Sequence, residues 1–156
     1  MTAMSAGPIP SFSLDGKRAL ITGGSRGIGL AAAQALAAFG AHVTLAARPS
    51  KDLDAAVAAL IADGHGAEAL ELDVTDTSQA RELIGVRAPY DILVNNAGIN
   101  YPVTFLDVTE DQYDAIMTLN VRASYFIAQV VAAKLVAAAK PGSIINISSQ
   151  MGHVGA

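Results

Sequence analysis

The richest stretch of chemistry in the sequence is Thr22-Gly23-Gly24-Ser25-Arg26-Gly27-Ile28-Gly29. Glycines in such a turn permit positive φ and let a phosphate approach the backbone closely. Exposed N–H groups and the dipole of a following helix then favour an anion. A purely structural glycine turn has the same composition, but here a strand, the turn and a helix follow in the order an anion site needs. The glycines stand as G-x-x-x-G-x-G. The P-loop spacing ending in Gly-Lys-Ser/Thr is absent, which disfavours an NTPase, and G-x-G-x-x-G is absent too.

Roughly 20 residues past such a turn, an Asp or Glu would hold the ribose hydroxyls of NAD. The sequence has Ala46-Ala47-Arg48-Pro49-Ser50 there. No carboxylate is present, and the Arg48 guanidinium matches a ribose 2′-phosphate. Arg26 reaches the same region from the glycine turn; the alternative is that both arginines are solvated surface charges. Asp73-Val74 and Asn95-Asn96-Ala97-Gly98 each follow a predicted strand, at the ends where open α/β sheets bind ligands. Asp73 suits an adenine amino group or a helix cap. The paired asparagines suit the pinning of neighbouring backbone, or a turn. Ser148-Ser149 also follows a strand and by itself reads as a turn. Asn120 is a polar residue in an apolar helix and needs partners wherever it is buried.

The elements that must position these residues alternate. Arg18-Ala19-Leu20-Ile21-Thr22 predicts a buried strand. Ile28, Ala32, Ala35, Leu36 and Phe39 recur at helical spacing, and Gly40 ends that helix. A strand over 41–46, a helix over 51–63 stopped by Gly64, a strand over 68–72, a short helix over 75–84 and a strand over 92–94 follow. Thr109 and Gln112 form a capping box ahead of a helix reaching about Ala139, and Ser143 to Ile147 is a fifth strand. The alternation predicts right-handed βαβ units. The fold class expected is α/β: a Rossmann-type, doubly wound parallel sheet in three layers, α/β/α. Residues 1–11 read as a flexible tail and 12–156 as one dinucleotide-binding domain. Apolar residues nearly encircle the long helix between Ile116 and Val136, which predicts a second covering partner besides its own sheet.

Composition narrows the classes. The chain has 156 residues, 52% hydrophobic and 15% charged, so it buries a core in one domain. With 10 Lys+Arg against 14 Asp+Glu it lacks the basic stripe of a nucleic-acid binder. There is no Cys, which excludes disulfides, thiolate catalysis and Cys-ligated zinc. Apolar runs are broken by charge, Gly or Pro short of a membrane span, and the N-terminus lacks a secretory pattern. The expected setting is cytoplasmic, with no membrane and no metal.

In combination, Thr22 to Gly29, Asp73, Asn95 to Gly98, Asn120 and Asn146-Ile147-Ser148-Ser149 resemble the short-chain dehydrogenase/reductase family, over nearly the whole chain from Leu14. The resemblance implies a Rossmann-type sheet binding NAD(H) or NADP(H), and hydride transfer between the nicotinamide and an alcohol or carbonyl carbon. It implies that Gly23, Ser25, Arg26, Gly27, Ile28 and Gly29 surround the pyrophosphate and ribose, and that Asp73 and Val74 sit at the adenine. Asn96, Ala97 and Gly98 would flank the inner ribose. Ser149 would hydrogen-bond the substrate oxygen and Asn120 would hold a water in a proton relay. Arg48 adds a preference for NADP(H) over NAD(H), which leans towards carbonyl reduction.

The family's base is a Tyr in a Tyr-x-x-x-Lys motif that comes after the serine. Tyr90, Tyr101, Tyr113 and Tyr125 all precede Ser149, and none has the lysine at the required spacing. A Tyr near its reference pKa of ~10 needs a nearby cation to act as a base at neutral pH. The expectation is an oxidoreductase whose residues 1–156 alone are inactive, lack the last strands, and need a C-terminal complement in the same or a second chain. The alternative is a non-catalytic dinucleotide-binding or interaction protein. The resemblance implies a homo-oligomer, dimer or tetramer, and an alcohol or carbonyl substrate. Tyr101, Gln150, Met151 and His153 are expected on the substrate side because they follow strand ends.

Overall fold

The computed structural model describes residues 11–150. Met151 and His153 therefore lie outside the described residues, as does nearly all of the expected tail. Five strands form one parallel sheet: β1 Arg18–Thr22, β2 His42–Ala47, β3 Ala67–Glu71, β4 Ile92–Asn95 and β5 Ser143–Asn146. Their order across the sheet is β3-β2-β1-β4-β5. The chain thus steps from β1 outward to β3, then returns to the other side of β1. Helices α1 Gly27–Ala38 and α2 Lys51–Ala62 cover one face, and α3 Thr77–Gly85 and α5 Ser124–Ala137 cover the other. This is the expected three-layer, doubly wound sheet.

Strand parity sorts the core. Ala19, Ile21, Val43, Leu45, Ile92 and Val94 face α1 and α2, while Leu20, Leu70 and Leu93 face α3 and α5. Successive side chains on a strand point to opposite faces, so both faces of these central strands must be apolar. Of the α1 residues that recur at helical spacing, Ala32 and Leu36 pack against the core. Gly29, Ala33 and Ala37 are buried, whereas Ile28 is 66% and Phe39 56% exposed. Small residues at every fourth position let α1 lie close to the sheet, and that closeness outweighs the larger apolar side chains.

The long helix contains a correction. It is α4 Glu110–Ile116, a π-helical stretch Met117–Ala123, and then α5. The Thr109–Gln112 capping box is present at its start. The run 110–137 has 28 residues and contains an 18-residue window of mean hydropathy 1.3, long and apolar enough to cross a membrane by length and composition. Inspection of uninterrupted apolar runs misses it because Arg122 and Lys134 break the stretch. Here Ala123, Ile127, Val130, Val131 and Leu135 are buried against the sheet. Tyr113, Met117, Val121, Tyr125 and Val136 stay exposed on the other side. At the sheet's margin, Ile144 and Ile145 of β5 are also exposed.

Candidate functional site

The C-terminal ends of β1 to β4 open onto one cleft of about 1160 Å³. Gly23 and Ser25 after β1, Arg48 after β2, Asp73 after β3 and Asn96 after β4 all line it. It lies where the strand order reverses around β1, which is where open α/β sheets hold ligands.

Thr22 is the hub beneath the glycine turn. Its Oγ1 accepts from the N–H of Asn96 at 3.0 Å and of Ala97 at 3.1 Å, and it donates to the Val94 carbonyl at 3.4 Å. The Asn96 amide donates to the carbonyls of Thr22 at 3.0 Å and Gly23 at 3.2 Å. The turn is therefore stitched to β4 and cannot swing away from it. Gly23 sits at φ +65° and Gly27 at φ +57°, where a side chain is strained. A Cβ at Gly29 would stand 2.3 Å from the Gly23 carbonyl oxygen and 2.5 Å from Asn96 Nδ2. Glycine at 29 thus serves the packing of helix on turn.

The helix starts differ in a telling way. Side chains cap α2 through Ser50, α3 through Asp76 and α4 through Thr109, but no side chain caps α1. The first-turn N–H groups of a helix need acceptors, and an anion in the cleft is one way to supply them. Arg26 and Arg48, both on the cleft wall, add positive charge.

Asp73 turns out to be tied locally. Its Oδ1 accepts from Thr75 Oγ1 at 2.7 Å and Thr75 N–H at 2.9 Å. The Thr75 hydroxyl and then the Thr75 N–H hold its carboxyl below the ordinary range; burial opposes them more weakly, and the Arg48 charge adds the smallest lowering effect. It is not the cap of α3, a role taken by Asp76.

Asn120 lies in the π-helical stretch and its amide binds the Ile99 backbone. The adjacent asparagines divide their work: Asn96 serves the glycine turn, and Asn95 reaches Ser124 and Asn146 on the other side. Of the expected cofactor residues, Gly23, Ser25, Arg26, Arg48, Asp73, Val74, Asn96, Ala97 and Gly98 line the cleft. Gly27, Ile28 and Gly29 lie behind that wall in the first turn of α1, and Asn120 supports it from below through Ile99. Ser149 is exposed beyond β5. Tyr101 also lines the cleft. The sequence reading missed Thr22 as hub, and Asp52, Asp114 and Thr118 on the wall. The hydroxyl of Thr22, at the last position of a buried strand, was the available signal.

The model of the short chain dehydrogenase family matches residues 17–156. Bovine (Bos taurus) L-xylulose reductase is 39% identical over 142 residues, 91% of this chain and 57% of that protein. Gluconate 5-dehydrogenase of Gluconobacter oxydans is 42% identical over 88% of this chain and 55% of its own length. The chain thus spans little more than half the length of these relatives. A short-chain type dehydrogenase/reductase from Mycobacterium marinum superposes with TM-score 0.87 at 37% identity, covering 94% of this chain and 61% of that one. A candidate 2-deoxy-D-gluconate 3-dehydrogenase from Agrobacterium tumefaciens, solved with bound NADP, gives TM-score 0.85 at 37% identity over 94% of this chain and 58% of that one. A family model that matches residues 17–156 and relatives 37–42% identical over about nine-tenths of this sequence show the same thing: the chain belongs to the short-chain dehydrogenase family.

Proposed function

We propose that the protein is an oxidoreductase that binds NADP(H) in preference to NAD(H) and reduces the carbonyl of a small polyhydroxylated substrate. The observation that carries the cofactor reading is Arg48 on the cleft wall after β2, preceded by Ala46 and Ala47 where a ribose-binding carboxylate would stand. The residues present fit the cofactor. The uncapped start of α1, with Arg26 beside it, suits the pyrophosphate. Arg48 suits the 2′-phosphate, by a charge-assisted contact. Asp73 and Val74 would meet the adenine, and Asn96, Ala97 and Gly98 the inner ribose. When bound, the nicotinamide supplies hydride to the carbonyl carbon.

The chain's own residues do the rest. Ser149 donates a hydrogen bond to the substrate oxygen, where negative charge builds up in the transition state. Asn120 holds the Ile99 segment that borders the cleft, and its π-helical surroundings are suited to a water relay because an i→i+5 turn frees backbone groups. The names of relatives that act on xylulose, erythrulose, sorbitol and gluconate support the polyol class. We further infer a homo-oligomer with the exposed apolar side of the 110–137 helix at the subunit contact; Val121 at 53% and Tyr125 at 65% exposure support it.

The test is titration of the complete protein with NADPH and NADH, followed by NADPH oxidation with a panel of ketoses and 2-keto acids, wild type against Ser149→Ala. Tighter NADPH binding and a turnover loss in Ser149→Ala with cofactor affinity unchanged are expected. Tighter NADH binding refutes the Arg48 assignment, and undiminished turnover removes Ser149 from the reaction.

A further inference from the structure

We propose that Asn95 is a positioning residue whose side-chain amide holds the two sides of the reaction site in register. The proposal rests on the assignment of Ser149 and Asn120 to that site. Asn95 ends β4, between the cofactor side of the sheet and β5, and only 4% of it is exposed. Its Nδ2 donates to the Ser124 carbonyl at 3.1 Å and to Asn146 Oδ1 at 3.0 Å. Both amide hydrogens thus have an acceptor, each on a different element.

Those two acceptors are the point. Ser124 directly follows the π-helical stretch 117–123, which carries Asn120. Asn146 is the register partner of Asn95 on β5, and the chain runs from it to Ser149. The Asn95 carbonyl also accepts from Ile147 N–H at 2.9 Å, beyond the end of the strand. One residue therefore ties the segment presenting Asn120 to the strand end leading to Ser149.

The chemistry of the side chain is specific. What the geometry uses is a double donor: the Asn95 Oδ1 is buried without a protein hydrogen-bond partner. An aspartate at this place has no hydrogen to give and sets a carboxylate against two oxygens. Asn146 can rotate its own amide to offer N–H, but Ser124 contributes a backbone carbonyl that cannot. Asn95→Asp thus severs the helix arm and spares the β5 arm. Asn146→Ala does the reverse.

The experiment is a mutant cycle in the complete protein: Asn95→Asp and Asn146→Ala, each alone and with Ser149→Ala. Turnover is measured together with NADPH affinity. Each single variant is expected to lower kcat by roughly tenfold or more, on the scale of small displacements in a reacting constellation. NADPH affinity should stay within about twofold, since the cofactor-side stitching belongs to Asn96. Adding Asn146→Ala to Ser149→Ala should lower kcat further by less than about twofold, because its effect travels through that serine. A multiplicative loss on combining Asn146→Ala with Ser149→Ala, full turnover in Asn146→Ala, or a parallel loss of NADPH affinity overturns the proposal alone. Undiminished turnover in Ser149→Ala overturns the functional reading and this proposal together. Should Asn95→Asp not fold, Asn146→Ala, at an exposed position, carries the test.

Discussion

Asn120 grips Ile99 by both of its backbone groups: its Oδ1 accepts from the Ile99 N–H at 2.9 Å and its Nδ2 donates to the Ile99 carbonyl at 2.8 Å. This pairing fastens the segment after β4 to the π-helical stretch, and Ile99 in turn forms part of the cleft wall. Replacing Asn120 by Asp keeps the acceptor and sets a carboxylate oxygen against the Ile99 carbonyl. We expect Asn120→Asp and Asn120→Ala to cost about 1 kcal/mol each, the net worth of exposed hydrogen bonds. Amide exchange at Ile99 should accelerate in Asn120→Ala, which removes the acceptor of that N–H. Unchanged protection of that amide would show that the segment is held by other means.

Glycine substitutions should separate by sign. Gly29→Ala puts a methyl 2.3 Å from the Gly23 oxygen, with backbone on that side, and should destabilise by about 1–3 kcal/mol through overpacking while weakening nucleotide binding. Gly85→Ala, in the last turn of α3 with open space around it, should be neutral or stabilise by up to ~1 kcal/mol. Thermal unfolding of the two variants checks both. A harmless alanine at 29 would mean that α1 does not lie as close to the turn as described.

Arg48→Ala should weaken NADPH binding by roughly tenfold or more and leave NADH nearly untouched, the worth of a hydrogen bond to a charged group being about 1.5–3 kcal/mol. Arg48→Asp should reverse the preference. Parallel weakening of both nucleotides would place Arg48 away from the 2′ position.

Asp73 gives a pH dependence whose sign is fixed by its depressed pKa. The stabilisation from its ties to Thr75 is complete above the unfolded carboxylate value of ~3.9, and is lost as pH falls through the lower native value. Stability should therefore be insensitive to Asp73 across neutral pH and fall only in acid. Carboxyl NMR should place its midpoint below the ordinary range. Thr75→Val removes the hydroxyl, the largest cause, and should raise that midpoint. No rise would assign the depression to another group.

Val121→Glu combined with Tyr125→Glu places charge on the exposed apolar side of the long helix. If that side is the subunit contact, the variant should sediment as a smaller species than wild type at the same micromolar concentration. A wild type that is already monomeric there would defeat the idea.

The sequence made the strands and the turns between them legible, because those depend on local signals. Gly40 at φ +101° and Gly64 at φ +85° end α1 and α2 where glycine was expected to do so. The Thr109–Gln112 box likewise depends only on neighbours. Helical spacing marks Ala32 and Leu36 of α1, which pack on the core, but not Gly29, Ala33 and Ala37, which close approach to the turn buries and side-chain size does not signal. The apolar girdle of the long helix was hard to assign to faces for a related reason. A π-helical stretch alters the angular spacing of the residues after it, so apolar positions on either side of 117–123 do not continue one stripe. The partners of Thr22 and the split between Asn95 and Asn96 were illegible because they are long-range: Thr22 and Asn96 lie 74 residues apart in the chain.

That separation has a consequence for the order of assembly. β1, β2 and β3 are consecutive in the sequence and adjacent in the sheet, so they can associate through short closures. β4 must come back past both to reach the free side of β1, pairing Ala19 with Ile92. Long closures are slow because their entropy is lost before the contacts form. This order of closure predicts a half-built cleft, with the glycine turn and the end of β2 in place before Asn96 arrives to complete it. On the proposed cofactor reading, saturating NADPH is expected to retard unfolding without hastening the first collapse of the β1–β3 unit.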